Sequence, residues 1–332
     1  MAGERICGLE APGRAVSCGA VVCADRHPPT SAPDRTHPSP RPDPEVPMPA
    51  LDRTKLIQDA HTTLAALSEQ GYDGPRGRVD LSADLTRLEA GTRLYTPEQL
   101  RATDRLLEPG PHDTLFTVTR ETTLAAARRV LGERPGPVSV LNFASATSTG
   151  GGFLTGSAAQ EESLCRASGL YAALSRHPEY YERHRSERDR LYSDHLMFAQ
   201  DVPVFRDDDG TWLDRPYHMD VLTAAAPNLR GVDGAELEGL RPRAERAIEV
   251  RASLLLSAFR HARCSRLVLG AWGCGAFRND PEHVARTFHG LLTTGRHRGA
   301  FEEVVFAVFA MPWEETNLRA FQQTFAEVAA RS

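Results

Sequence analysis

Two adjacent carboxylates, Glu161 and Glu162, stand close behind three consecutive glycines, Gly150, Gly151 and Gly152, in the stretch NFASATSTGGGFLTGSAAQEE that begins at Asn142. Glycines in series cost backbone entropy, and chains carry them where the backbone must take unusual dihedrals or touch something closely. Amides in such a loop and at a helix N-terminus form a cradle for an anion, a diphosphate in particular. A carboxyl group beside that cradle can hand a proton to a leaving group. Consecutive helix residues point ~100° apart, so the pair does not bracket one bond as the opposed acids of an ordinary glycosidase do. The expectation is two jobs: one carboxylate holds ligand hydroxyls, the other meets the bond to be broken. Their mutual repulsion favours keeping one proton in the pair, while the helix N-terminus pulls toward the anions.

A second glycine-bearing loop, GCGAFRN from Gly273 to Asn279, can offer amides to the same diphosphate from the other side. Phe277 within it is placed to stack on or orient a sugar or base. Neither loop ends in the Gly-Lys-Ser/Thr of a nucleotide-hydrolase P-loop, and the dinucleotide fingerprint GxGxxG is absent. The soft ligands His261, Cys264 and Cys274 lack paired spacing, so no metal is expected, and no cofactor.

The flanking elements must bring these loops together. The continuous apolar run Val138–Asn142 reads as a buried central strand leading into the first loop. A helical stripe through Leu164, Ala167, Leu170, Tyr171 and Leu174 predicts one helix over 158–175. A polar segment, 176–190, precedes short strands at 196–199, 202–205 and 219–223, with a helix over 242–263. A strand at 266–270 leads into the second loop, Pro281 opens a helix to Leu292, and a strand at 304–309 precedes a closing helix at 314–330. Strands and helices alternate from residue 114, which predicts an α/β fold, a sheet sandwiched by helices. In such sheets ligands bind beyond the carboxyl ends of the strands, and both glycine loops fall there.

The pattern GGG, a short spacer and QEE resembles the signature of the poly(ADP-ribose) glycohydrolases. The longer run from VLNFAS through GGGFLTGSAAQEESL to SGLY resembles the microbial type of that family. DVPVFRDDDG and DVLTAAAPN match it in order and spacing, so the resemblance covers about 54 to 328. It implies a macrodomain-like mixed sheet and hydrolysis of the ribose–ribose O-glycosidic bond from the chain end, releasing ADP-ribose. It implies that Glu161 fixes the ribose and Glu162 is the catalytic acid. By position, Asn142, Gly150, Gly151, Gly152, Gln160, Gly273, Gly275, Ala276, Phe277 and Asn279 become ADP-ribose contacts, and Asn228 a residue that caps a turn or lines the cleft. One departure stands out: family members often carry Asn-Pro before the three glycines, where this chain has Ser148-Thr149. Two other readings share these residues. One is a hydrolase of mono-ADP-ribosylated protein or nucleic acid; the other is an ADP-ribose-binding module without catalysis, which would not need the second acid.

The remainder of the 332 residues sets the frame. A net charge of −5 argues against a general nucleic-acid binder. No apolar run reaches the ~18 residues of a membrane span. Six cysteines without framework spacing predict reduced thiols in a cytoplasmic protein, expected to be a monomer. The expected partner is poly(ADP-ribose) or an ADP-ribosylated macromolecule. Residues 1–49, dense in proline and poor in large apolar side chains, read as a disordered tail, with Met48 as the expected true start. An N-terminal helical extension is expected over 50–113, with Asp52 as a helix cap, and the macrodomain-like catalytic domain over 114–332.

Overall fold

The computed structural model describes residues 52–329, so the expectations about the proline-dense tail and Met48 lie outside the described residues. In chain order the elements are α1 (Arg53–Ser68), β1 (Gly71–Gly74), β2 (Gly77–Asp80), α2 (Ser82–Gly91), β3 (Thr92–Tyr95), α3 (Pro97–Asp104), β4 (Leu115–Thr119), α4 (Thr123–Glu133) and β5 (Ser139–Phe143). After one 3-10 turn at Phe153–Thr155 come α5 (Gln160–Ala167), α6 (Leu170–Ser175), α7 (Pro178–Glu187), β6 (Leu196–Arg206), β7 (Trp212–Ala224) and α8 (Gly234–His261). The chain ends in β8 (Arg266–Leu269), α9 (Pro281–Thr293), β9 (Glu303–Ala307) and α10 (Thr316–Ala329).

Local chemistry sets the boundaries. Asp52 caps α1 by accepting from the Thr54 N–H. Thr96 and Gln99 form a reciprocal capping box on α3, with Pro97 in the first turn. Asp280 accepts from Glu282 N–H ahead of Pro281, starting α9 directly after the second glycine loop. Seven strands form one sheet in the order β3-β6-β7-β5-β8-β9-β4. β4, β9, β8, β5 and β7 are mutually parallel; β6 runs antiparallel to β7, and the edge strand β3 runs antiparallel to β6, in the direction of the other five. Buried side chains pack on both faces of this sheet: Leu141, Leu222, Phe306 and Phe321 contribute to one core, Val140, Val221, Val268 and Leu164 to the other. β5 and β8 are parallel neighbours, and the loops that follow them therefore leave the same edge of the sheet.

Several expectations change. The stripe over 158–175 is two helices, because Ser168 takes an extended backbone (φ −148°, ψ 176°). Its hydroxyl donates to Leu164 O at 2.7 Å and accepts from Leu170 N at 3.2 Å, closing one helix and opening the next. Gly169 N–H is spent on Pro203 O of β6 at 2.9 Å. The polar segment 176–190 contains α7, whose Tyr180, Tyr181 and His184 are buried beneath a charged outer face. The strands expected at 196–199 and 202–205 are one strand, β6, with a register shift between Ala199 and Val202 where Asp201 adopts φ 58°. α8 begins at Gly234 and carries Pro242 inside it.

The stretch 50–113 holds more than helices. β1 and β2 form a hairpin, and β3 pairs with β6 in the main sheet. Contacts group the described residues into one compact unit rather than dividing them at 113/114. α1 is joined to the sheet by a buried ion pair, Arg206 Nη1 to Asp59 Oδ1 at 3.0 Å, with Arg206 Nη2 donating to Thr62 Oγ1 at 2.5 Å. The same guanidinium lies 3.6 Å from the centroid of the Trp212 ring. Arg206→Ala removes the buried guanidinium while Asp59 keeps the Lys55 ammonium at 2.7 Å, so the expected cost is ~1.5–3 kcal/mol, that of a hydrogen bond to a charged group, measured by urea unfolding. A loss under ~1 kcal/mol would show that solvent already screens the pair.

Candidate active site

β5 delivers the first loop to the sheet edge and α5 returns from it, and Gln160 straps the two together. Its Oε1 accepts from Phe143 N at 2.9 Å, and its Nε2 donates to Leu141 O at 2.8 Å and Thr123 Oγ1 at 3.1 Å. Expected as a ligand contact, Gln160 instead has its amide engaged in fixing how α5 enters the site. Asn142 is likewise buried: its Nδ2 donates to Glu161 Oε1 and Thr223 Oγ1, both at 3.2 Å, so it orients Glu161 from the strand end.

Glu161 and Glu162 point to different partners although both crowd the same glycine. Glu161 Oε2 accepts from Ser145 N at 2.7 Å, and Glu162 Oε1 accepts from Gly152 N at 2.8 Å. Gly151 lies between them in the left-handed region, φ 59°, and a Cβ there would meet Glu162 Oε1 at 2.4 Å and Glu161 Oε2 at 3.1 Å. The triple glycine thus does a job its sequence did not disclose, clearing space for the two carboxyl groups. Gly150, φ 65°, lies against the Tyr171 ring and the Cys165 thiol. At the position where relatives carry Asn-Pro, Ser148 shapes the turn with its backbone: its carbonyl accepts from Gly151 N at 2.9 Å.

Both carboxyl groups are buried, Glu161 3% and Glu162 8% exposed. Burial pushes Glu161 up to about 8; the Ser145 and Asn142 donors oppose that rise and the Glu162 charge adds to it. Between the ordinary value of 4.5 and about 8 the folded protein keeps a proton that the unfolded chain has released. This contribution to stability is therefore full below 4.5 and is lost as pH rises toward 8, with a slope approaching ~1.4 kcal/mol per pH unit. Glu161→Gln is expected to flatten that slope, in denaturant unfolding compared at pH 5 and pH 8. Parallel slopes in the two proteins would place the proton elsewhere.

In the second loop Gly273 (φ 76°) packs so closely that a Cβ would meet Ala226 Cβ at 2.4 Å, whereas Gly275 faces open space. Asn279 is buried and donates to Pro227 O at 2.8 Å and Gly273 O at 2.9 Å, closing the loop against the end of β7. Its amide is therefore a brace, where a ligand contact was expected. Gly275 and Ala276 are exposed, and Phe277 is half-buried with its ring 6.3 Å from that of Tyr192. Asn228 Nδ2 donates to Tyr192 OH at 3.2 Å while its Oδ1 accepts from Arg230 N at 3.0 Å, which makes it a turn residue. Sequence reasoning missed Thr223, Ser145, Tyr171 and Tyr192. Thr223 had a readable signal, since β7 pairs with β5 in a register that sets it opposite Asn142; Ser145 contributes only its backbone amide, which no residue type announces.

A mixed sheet between helices, with two glycine loops at the ends of adjacent parallel strands, is a macrodomain-like fold. A model of the microbial-type PARG catalytic domain matches residues 60–207. The crystal structure of poly(ADP-ribose) glycohydrolase from Thermomonospora curvata matches at 44% identity and TM-score 0.78, covering 82% of this chain and 100% of that one. The T. curvata enzyme bound to the inhibitor ADP-HPD matches at 43% identity and TM-score 0.75 over the same shares. The Deinococcus radiodurans enzyme in complex with ADP-ribose matches at 42% identity and TM-score 0.69, covering 76% of this chain and all of that one. No match was found among curated proteins. The chain belongs to the microbial-type poly(ADP-ribose) glycohydrolase family.

Proposed function

We propose that this protein hydrolyses the ribose–ribose O-glycosidic bond of poly(ADP-ribose) from the chain end, releasing ADP-ribose. One observation carries the reading: Glu162 is buried yet pinned by the Gly152 N–H over a glycine that leaves space for its carboxyl group. Glu162 in its acid form protonates the departing ribose oxygen as the anomeric carbon–oxygen bond breaks. An oxocarbenium-like centre forms next to the diphosphate held by the loop amides. The resulting carboxylate takes a proton from water, and the hydroxide adds to the anomeric carbon, restoring the acid. Glu161, held by Asn142 and Ser145, keeps its proton near neutral pH and meets the ribose hydroxyls as a hydrogen-bonding group rather than a second anion. With the Gly151 and Gly152 N–H groups engaged by Ser148 O and Glu162, the backbone amides of Gly150, Gly273 and Gly275 take the diphosphate, and exposed Gly275 and Ala276 with Phe277 take the ribose side. Both relatives in complex are named for ligands of this class, ADP-HPD and ADP-ribose.

The protein is proposed to act as a monomer in the cytoplasm, in keeping with its unpaired buried cysteines, Cys165 and Cys264. Among the described residues no helix is long and apolar enough to cross a membrane. Incubation with purified polymer, and separately with mono-ADP-ribosylated protein, tests the function. Release of ADP-ribose from polymer is expected; release from the mono-modified protein alone would transfer the assignment to mono-ADP-ribosyl hydrolysis, and binding without release would leave a recognition module.

A further inference from the structure

Beside the cleft runs an arc of arginines that the catalytic reading leaves unused. Residues 183–190, RHRSERDR, carry four arginines against two acids in a chain whose net charge is −5. The segment borders both glycine loops. Arg185 Nη1 donates to Thr147 O of the first loop at 2.6 Å. Arg190 Nη1 donates to Arg230 O at 2.9 Å, and Arg190 O accepts from Asn228 N at 2.8 Å. Leu229 N–H donates to Phe277 O of the second loop at 2.9 Å. Arg183, Arg185, Arg188, Arg190, Arg230 and Arg278 are all exposed along this route. Two are loosely paired, Arg183 with Glu187 at 3.6 Å and Arg278 with Asp233 at 3.8 Å. Arg188, at the left-handed end of α7 (φ 52°), and Arg230 form no ion pair among the described residues.

We propose that this arc binds the phosphates of polymer units upstream of the one being removed. The inference rests on the polymer reading above and adds to it where the rest of the chain lies. The glycine loops can take only the terminal diphosphate, so the remaining polyanion must leave across the rim of the cleft. Guanidinium groups bind phosphate in bidentate fashion, and a positive arc on a negative protein concentrates a polyanion at that rim. Contacts of this kind release counterions and make association fall with salt.

The test compares the wild type with Arg188→Glu/Arg230→Glu and with Arg188→Lys/Arg230→Lys, neither residue touching the catalytic loop through its side chain. Hydrolysis of long polymer, polymer binding, and ADP-ribose affinity are measured over a series of salt concentrations. For the glutamate pair, KM for polymer and the polymer Kd are expected to rise about 10-fold at low salt, and the salt slope to fall by about 2. kcat and ADP-ribose affinity should be unchanged, and the lysine pair should keep most of the wild-type slope. Unchanged KM, Kd and slope in the glutamate pair would overturn the proposal. So would a lysine pair as impaired as the glutamate pair, or an RNA oligonucleotide bound by the wild type as tightly as polymer. A wild type that binds polymer in a charge-dependent way but does not cleave it would sink the substrate reading and leave the arc standing.

Discussion

Glu162→Gln is expected to lose polymer hydrolysis by ~10²-fold or more, the usual contribution of a general acid, with ADP-ribose affinity nearly unchanged. The amide keeps the size of the carboxyl group and can still place an oxygen against Gly152 N–H, whose bond to Oε1 is 2.8 Å. What it lacks is the transferable proton and the ability to take one back from water. The two readouts separate chemistry from binding: rates on polymer report the first, calorimetric titration with ADP-ribose the second. Turnover within a few-fold of wild type would remove Glu162 from the mechanism and leave Glu161, with its raised pKa of about 8, as the acid.

Gly151→Ala should be nearly as damaging, for a geometric reason. A methyl group at this position would lie 2.4 Å from Glu162 Oε1, far inside van der Waals contact, on a backbone at φ 59°. Strain of that type costs ~1–3 kcal/mol. Relief requires the Glu162 carboxyl group to leave Gly152 N–H or the loop to swing outward, and either change disarms the acid. The expected outcome is a folded protein with polymer turnover reduced ~10²-fold and ADP-ribose binding weakened ~10-fold, a ~1.4 kcal/mol loss. Circular dichroism and titration establish fold and affinity; a folded variant with normal turnover would mean that the glycine answers only to the turn.

These two residues show how much of the site was legible in the sequence. GGG and QEE marked the loop and the start of α5 at Gln160, and the two acids they singled out come together against Gly151, because glycine and glutamate state their chemistry by type. That Gly151 yields space to Glu162 was not legible, since it depends on the rotamers of residues a loop away. Gln160 and Asn279 show the opposite limit. Each lies within a ligand-binding motif, but a motif cannot say whether an amide faces the ligand or the protein, and here both amides are spent on backbone carbonyls. Among the folded elements, α7 was hidden because its buried stripe of Tyr180, Tyr181 and His184 is set among charges. β6 was split in the reading because Asp201 interrupts its alternation, while in space that residue is a bulge whose N–H is held by Asp220 Oδ1 at 2.9 Å.

The position of α1 behind the first loop has a consequence for how that loop can open. Arg53 Nε donates to Thr155 O at 3.0 Å, Thr63 Oγ1 donates to the buried Arg166 O at 2.6 Å, and Arg166 Nη1 in turn donates to Ser157 O at 2.6 Å. A Cβ on Gly156 would meet Arg53 and Ile57 within 3.0 Å, so loop and helix are already in contact. The arm of the loop at Thr155–Ser157 is therefore held against α1, and the two would open together as one cooperative unit. The first helix is thus a latch on this loop: the mobility of the segment joining the triple glycine to Glu161 and Glu162 would be linked to the free energy of undocking a helix remote from them in sequence.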